Sequence, residues 1–213
     1  MYKVRRYQVQ ESSTLHEVIE KFPFATVTTV CDGRPFVNHL PVISQTGEDG
    51  ALRLLGHMSR GNPQWQHMRD GSALVIAFQG PHTYINPSWY AVNDVPTWNY
   101  VVVHASGKAQ LIEDYDGLLG ILRKSTDRMN RIYPDQWDFF LPEDLVSEND
   151  LTSAIIGFQM IPENLEGKFK LSQNRSLEDR NGVVAGLGER KDAGSRMVRE
   201  WMHGFESKRG ARS

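Results

Sequence analysis

The segment GHMSRGNPQW combines residue types that bind phosphate groups. Ser59 supplies a hydroxyl, and Arg60 supplies a guanidinium that can donate two parallel hydrogen bonds. Asn62 and Pro63 then predict the start of a helix, whose first backbone N–H groups are available to an anion. A phosphate monoester fits this combination. An ordinary capped turn that carries a surface arginine fits it equally well.

Two polar residues stand side by side within the apolar stretch FVNHLPV. Because successive strand residues face opposite sides of a sheet, either Asn38 or His39 should face the interior or an interface. A buried polar side chain needs a partner, which can be a ligand or another protein group. Pro41 indicates a strand edge, a bulge, or a place where a ligand replaces the ladder.

A third polar segment, LEGKFKLSQNR, lies in the C-terminal part of the chain. Lys168 and Lys170 are two residues apart and would share one face of a strand, and Ser172 with Gln173 can begin a helix. Two cations beside amides suit an anion or a reduced flavin ring, which carries negative charge. A solvated strand edge followed by a helix cap is the alternative.

The stretch GPHTYINPSWYAVNDVPTWNYVVVHASG is unusually aromatic. Its two ends predict strands, and its middle predicts a loop between prolines that is too aromatic to remain in water. Such a loop would cover a ligand cleft or meet a partner subunit. We expect Trp89 and Tyr90 to pack against protein, and Trp98 and Asn99 to approach a ligand.

Composition excludes several classes of protein. With Cys31 as the single cysteine, neither an internal disulfide nor a cysteine cage for a metal can form. The seven histidines include no HExxH motif, so we predict no metal site, although His57 and His104 could converge in space. The sequence also lacks the GxSxG, P-loop and GxGxxG motifs of hydrolases, NTPases and Rossmann enzymes.

Charge and hydropathy indicate an ordinary globular chain. The formal net charge is −2, and no recognisable DNA-binding motif accompanies the basic residues. No apolar run approaches the length of a membrane span, and the N-terminus lacks the apolar core of a signal peptide. We therefore expect a cytoplasmic protein with no membrane partner.

Hydrophobic periodicity predicts the elements that position these residues. Thr14 and Glu17 have the spacing of a capping box, and SALVIAF reads as a strand buried on both faces. Strands are predicted at 24–31, 34–43, 51–58, 72–78 and 99–114, with two more within 154–172. Helices are predicted at 14–21, 62–71, 116–130 and 177–205, with a frayed basic tail at 207–213. About seven strands with peripheral helices indicate a small antiparallel barrel.

The motifs PFATVTT, NHLPV, GHxxRGNPQW, FQGPHTYINPSWY, VPTWNYVVVHASG and KLSQNR occur in this order. Together they resemble the PaiB-type proteins, which are called FMN-binding negative transcriptional regulators. The resemblance implies a split antiparallel β-barrel, mainly β with peripheral helices, that forms a homodimer with FMN in clefts at the interface. It covers residues 1–188 as one FMN-binding domain, with a C-terminal helix and tail at 189–213 packed on or trailing it.

The resemblance also implies which residues bind FMN. The phosphate would contact Ser59, Arg60, Asn62 and Gln64, and the ring would lie along Asn38, His39 and Leu40. His57, Trp98, Asn99, Lys170, Ser172 and Gln173 complete the predicted set, and no catalytic residue is assigned.

Three functions remain open at this stage. The first is an FMN-binding regulator that acts on gene expression, with DNA as a conceivable direct partner. The second is a flavin-dependent oxidoreductase for a small planar substrate. The third is a split barrel that has lost the cofactor or binds a different planar ligand such as haem.

Overall fold

The computed structural model describes residues 1–92, 94–142 and 147–210, with the backbone alone for 206–210. Within this part of the chain, eight strands form one sheet in which every pairing is antiparallel. They are β1 (Gln8–Val9), β2 (Phe24–Cys31), β3 (Arg34–Thr46), β4 (Leu52–Ser59), β5 (Ala73–Ile85), β6 (Thr97–Ile112), β7 (Ile155–Met160) and β8 (Asn164–Lys170).

Helices surround this sheet. They are α1 (Ser12–Lys21), α2 (Gln64–Arg69), α3 (Tyr115–Ile132), α4 (Glu148–Ala154), α5 (Leu177–Glu189) and α6 (Ala193–Gly210), with single 3-10 turns at Arg5–Tyr7 and Pro87–Trp89. None of the described helices is long and apolar enough to cross a membrane. The predicted basic tail, residues 207–213, lies outside the described side chains.

The sheet closes into a split barrel because β6 serves both of its halves. The strand order is β1-β8-β6-β5-β2-β3-β4-β7, and β6 also pairs with β7. β6 pairs with β5 as far as Lys108 and with β7 from Ala109 onwards. Gly107 lies next to this change of partner, where a Cβ would lie 3.2 Å from the Glu163 nitrogen. The predicted antiparallel split barrel with peripheral helices is therefore confirmed, and the homodimer stays a prediction.

The split lies between β3 and β4. β3 pairs with β2 from Arg34 to Pro41 and with β4 only from Val42 onwards. The first half of β3 therefore separates from the second half of β4. Gln64 of α2 lies beside this opening, where it bonds to Asn38 and to the Phe36 carbonyl oxygen of β3. The β2–β3 hairpin is closed by Asp32 and Gly33, whose φ angles of 50° and 73° are those of a two-residue hairpin turn.

Apolar side chains fill two regions. The barrel interior holds one continuous core to which α5 and α6 contribute Val183, Leu187, Val198 and Met202. A second layer lies outside β3, β4 and β7, where α3 and α4 pack on the strands. Its buried residues are Ile43, Leu55, Leu118, Ile121 and Leu151.

Three sequence-based expectations differ from the structure. β5 is not buried on both faces: its burial alternates, and Val75 is 39% exposed. α1 begins at Ser12, two residues before Thr14, and the Thr14 hydroxyl donates to the Glu11 carboxylate instead of capping toward Glu17. The two-residue strand β1, too short to give a periodic signal, was not predicted.

Candidate functional site

Arg60 lies on the turn after β4 within a cluster of charged side chains. Its Nε donates to the carbonyl oxygen of Thr152 in α4, and its Nη2 lies 3.2 Å from Glu113 Oε2. Arg69 Nη2, at the end of α2, lies 2.8 Å and 2.9 Å from the two oxygens of the same carboxylate. The adjacent Ser59 is exposed, and its Oγ accepts from Gly61 N at 3.2 Å. A hydroxyl and two arginines are thus accessible at this end of β4.

Trp65 packs against both arginines. Its ring centroid is 4.4 Å from the Arg69 guanidinium carbon and 5.9 Å from that of Arg60. Its Nε1–H donates to the Arg60 carbonyl oxygen at 3.0 Å. The indole therefore helps to hold both guanidinium groups at the surface.

Asn38, Asn62 and Gln64 form a polar network inside the opening of the barrel. Asn38 Nδ2 donates to Gln64 Oε1 at 3.0 Å and to Asn62 Oδ1 at 3.3 Å, and Asn62 Oδ1 also accepts from Gln64 N at 3.1 Å. The Gln64 side chain is fully buried, and its Nε2 donates to the carbonyl oxygens of Val27 and Phe36. The network fixes α2 to β2 and β3; contact of these residues with FMN stays a prediction.

The outer face of β3 presents His39, whereas Asn38 and Leu40 on either side point toward the core side. The His39 ring stacks on Phe24 with centroids 6.1 Å apart. Both rings line an open cavity of about 540 Å³, together with Thr26, Pro41, Gln79, His82 and residues of α1 and α3. The walls are mainly apolar and aromatic with a few polar groups, which is typical of a site for a flat ligand.

The predicted residues at the start of β6 and at the end of β8 are partly buried and partly accessible. Asn99 and Ser172 are buried and bond to each other, with Asn99 Nδ2 donating to Ser172 Oγ at 2.9 Å. The Gln173 amide is used locally by Leu171 N and the Phe169 carbonyl oxygen. The side chains of this set that remain accessible are Trp98 and Lys170.

Trp98 and Lys170 lie on the outer face of the sheet. Trp98 is 53% exposed, and its ring centroid is 6.1 Å from that of His82 and 6.3 Å from that of Tyr84. Lys170 is half-buried and donates to the Thr97 hydroxyl. Burial, with repulsion from Lys168 and Arg175, lowers the pKa of Lys170.

His57 lies apart from the other predicted residues. Within β4 it shares a face with Leu55, under α3 and α4, and opposite to Leu54 and Met58 in the barrel core. Burial lowers the pKa of its imidazole. His104 is also half-buried but belongs to β6, where it pairs in register with Ala77 and Glu166, so the two histidines do not share a strand pair.

The aromatic loop packs against α5, as predicted for Trp89. Gly182 and Gly186 are four residues apart on α5, and a Cβ on Gly186 would lie 2.2 Å from the Trp89 ring. The indole therefore rests directly on the helix backbone, and the Arg190 guanidinium carbon is 4.6 Å from its centroid. Tyr90 is buried beneath Arg175, whose guanidinium carbon is 4.3 Å from its ring centroid.

Sequence reasoning missed Arg69 and Glu113. Trp65 and Arg69 stand four residues apart on α2, a spacing that allows stacking and could have revealed Arg69. Glu113 follows β6, more than 40 positions from either arginine, and only the sheet topology brings it there. Among the described residues, no three His, Cys, Asp or Glu side chains could together hold a metal ion.

A model of the family described as "Putative FMN-binding domain" matches residues 1–163. "Protease synthase and sporulation protein PAI 2" from Bacillus subtilis (strain 168) is 34% identical over 205 residues, covering 95% of this chain and 96% of that protein.

Among solved structures, the flavocytochrome Anf3 from Azotobacter vinelandii aligns with a TM-score of 0.64 and 17% identity, covering 85% of this chain and 78% of that one. The FAD and heme binding protein from Mycobacterium smegmatis aligns with a TM-score of 0.61 and 18% identity, covering 84% and 80%. At these identities the structural likeness establishes the fold alone. The family model and the sequence match establish more: this chain belongs to the family described as "Putative FMN-binding domain", it is a relative of the Bacillus protein, and its cofactor is FMN.

Proposed function

We propose that this protein binds FMN as a homodimer and acts as a negative regulator of transcription. The observation that carries the cofactor site is the accessible Arg60 guanidinium beside the Ser59 hydroxyl at the end of β4. Arginine forms charge-assisted hydrogen bonds to phosphate, and a hydroxyl adds a further donor. The residues present therefore fit the phosphate of FMN.

The ring would lie against the outer face of the sheet. The cavity of about 540 Å³ beside His39 offers flat apolar walls from Phe24 and Pro41, with the amide of Gln79 as a polar group. Trp98 and Lys170 supply an aromatic surface and a cation on the same side of the sheet, from this subunit or its partner. When bound, FMN supplies two-electron redox chemistry.

The visible spectrum of the purified protein is the first test. We expect a yellow protein, or a colourless one that takes up one FMN per chain on titration. A haem spectrum, or a colourless protein that FMN cannot reconstitute, would contradict the proposal.

Arg60→Ala should weaken FMN binding by about 1.5–3 kcal/mol. Arg196→Ala, which removes an exposed arginine from α6, is the control.

Exposed apolar side chains support the homodimer. Val37 of β3 and Val75 of β5 both flank Thr28 of β2 in register, and they are 49% and 39% exposed. Phe24 and Val30, at the two ends of β2, are 65% and 52% exposed on the same face. Large apolar side chains grouped on one exposed face, here around Thr26 and Thr28, are typical of a surface that a second subunit covers.

Light scattering after size exclusion tests the dimer. We expect the unmodified protein to elute as a dimer and Val75→Glu to shift it toward the monomer. Ile161→Glu is the matched control, because Ile161 is 47% exposed in the turn between β7 and β8 and lies outside the strands of this face. A monomeric unmodified protein, or equal effects of the two variants, would contradict the assignment.

The regulatory role rests on the resemblance to PaiB-type proteins. Several basic side chains of α3 are already engaged within the protein: Lys124 with Gln45, Arg128 with Glu20, and Arg123 with the Phe139 ring. A gel-shift assay with promoter DNA at low salt, with and without FMN, tests direct action. A shift that depends on FMN would support direct action on DNA. An absence of retardation would leave only indirect regulation.

A flavin-dependent oxidoreductase is the second candidate, and the histidines in the outer-face cavity favour it. His39 and His82 both line the cavity, so either imidazole could hold a proton for a small planar substrate bound beside the flavin. Anaerobic addition of NADH or NADPH should then bleach the flavin absorbance. His82→Gln should slow reoxidation by substrate, whereas His16→Gln on α1 should not. A flavin that neither nicotinamide reduces would contradict this candidate.

A further inference from the structure

Arg60 does not stand alone at the proposed phosphate site. Arg69 and Arg60 converge on one carboxylate, with contacts of 2.8 Å and 2.9 Å from Arg69 and 3.2 Å from Arg60 to Glu113. The three side chains come from the turn after β4, the end of α2 and the residue after β6. Two guanidinium groups around one small anion are the arrangement by which proteins bind a phosphate.

The arginines are positioned by more than Glu113. Arg60 Nε bonds to the Thr152 carbonyl oxygen, and the Trp65 ring packs against both guanidinium groups at 4.4 Å and 5.9 Å. These contacts do not involve the carboxylate. The pair of arginines should therefore keep its place when Glu113 moves away, so a ligand would meet a preformed cationic site.

The cluster is open to solvent and carries a net positive charge. The side chains of Arg60, Arg69 and Glu113 are 26%, 49% and 44% exposed. Partial burial opposes ionisation of Glu113, but hydrogen bonds from Arg69 and Arg60 prevail and lower the pKa of its carboxyl. Glu113 is thus a charged internal anion. Ion pairs this exposed are worth little, so a stronger anion can replace it at small cost.

We propose that Arg60 and Arg69 together form the phosphate subsite, and that Glu113 occupies it until the phosphate of FMN displaces the carboxylate. This inference rests on the proposed FMN function. A phosphate monoester carries about −1.5 to −2 charges at neutral pH and offers three acceptor oxygens, whereas a carboxylate carries one charge and two oxygens. Glu113 therefore sets how strongly the protein prefers FMN over riboflavin, which has the same ring and no phosphate.

The ratio of FMN affinity to riboflavin affinity isolates this subsite. Both ligands are titrated by flavin fluorescence into the unmodified full-length protein, Glu113→Gln and Arg69→Gln. We expect Glu113→Gln to raise the ratio about 2- to 5-fold, because an internal competitor is removed. Arg69→Gln should lower the ratio about 10-fold, because a charge-assisted hydrogen bond is lost. Riboflavin affinity should stay unchanged in both.

Glu48→Gln is the matched control for charge. Glu48 is exposed in the loop before β4, at the opposite end of that strand from Arg60, so its loss changes net charge without touching the cluster. The ratio of FMN affinity to riboflavin affinity of Glu48→Gln should equal that of the unmodified protein. Thermal melting of each variant checks that folding is intact.

The outcomes distinguish a failure of this inference from a failure of the proposed FMN function. If the unmodified protein prefers FMN, but Glu113→Gln and Arg69→Gln leave the ratio unchanged, the inference is overturned and FMN binding stands. Equal ratios in Glu113→Gln and Glu48→Gln would also overturn it, since the effect would then be one of net charge. If the unmodified protein binds neither flavin, the proposed function itself fails.

Discussion

The buried amide of Gln64 holds α2 in the opening of the barrel. Its Nε2 donates to Val27 O, Phe36 O and Thr29 Oγ1 at 3.0, 3.2 and 3.3 Å, and its Oε1 accepts from Asn38 at 3.0 Å. An amide nitrogen has only two protons, so these contacts amount to about three hydrogen bonds. At about 0.5–1.5 kcal/mol each, Gln64→Leu should lower the free energy of unfolding by roughly 2–4 kcal/mol.

Leucine is close to glutamine in size, so Gln64→Leu leaves little empty space. The lost free energy of unfolding therefore reflects mainly the lost hydrogen bonds. Gln66→Leu is the matched control, because Gln66 is exposed on the same helix and its substitution should change stability by less than about 0.5 kcal/mol. Urea unfolding followed by circular dichroism measures both variants. For a chain of this length, a loss of 2–4 kcal/mol should lower Tm by about 5–15 °C.

A difference below about 1 kcal/mol between the two variants would refute this reasoning. The same pair separates a structural role for Gln64 from the predicted role in FMN binding. If Gln64→Leu keeps its stability but loses most of its FMN affinity, the amide serves the cofactor. If stability falls while the remaining folded protein binds FMN with unchanged affinity, the amide serves the barrel.

Gly186→Ala should destabilise the protein by about 1–3 kcal/mol, because the new Cβ would overlap the Trp89 ring. Gly120→Ala on α3 meets nothing within 4 Å and should stabilise by up to about 1 kcal/mol, so equal melting temperatures would contradict the packing argument. Burial lowers the pKa of the His57 imidazole, so His57 is more stable in its neutral form in the folded protein. The stability that neutral His57 contributes above about pH 6.5 is lost as pH falls through the folded pKa. The urea midpoints measured at about pH 7.5 and 5.5 should therefore differ less in His57→Gln than in the unmodified protein. An unaltered pH dependence would count against a buried neutral imidazole.

Local patterns predicted most of the barrel. FATVTTVC alternates in burial as its β-branched residues indicate, and Asp32 with Gly33 forms the turn that its sequence requires. The same kind of reasoning failed for β5, because an apolar run cannot distinguish a strand buried on two sides from one whose outer face awaits a partner. Val75 is apolar and exposed, so the outer face of β5 is not covered by the rest of this chain.

The site was harder to predict than the fold. GHxxRGNPQW pointed to Arg60, and the structure places this side chain at the surface with a carboxylate in contact. The two partners that complete the cluster could not be found in the same way. Arg69 is close in sequence but lies in a segment without a phosphate motif, and Glu113 depends on where β6 ends. Long-range register, which no local pattern encodes, decides such contacts.

The order of the strands also determines when this barrel can form during synthesis. β1 pairs Gln8 with Lys168 and Val9 with Gly167. β1 therefore cannot pair until β8, about 160 residues later in the chain, has been synthesised. β6 likewise leaves the ribosome before β7 and β8. One of its edges can pair at once with β5, but the residues that pair with β7 and β8 stay unpaired until both strands have emerged. Open strand edges recruit other chains. The protein therefore passes through a vulnerable nascent stage, and slow translation between residues 112 and 170 should favour aggregation or a need for chaperones.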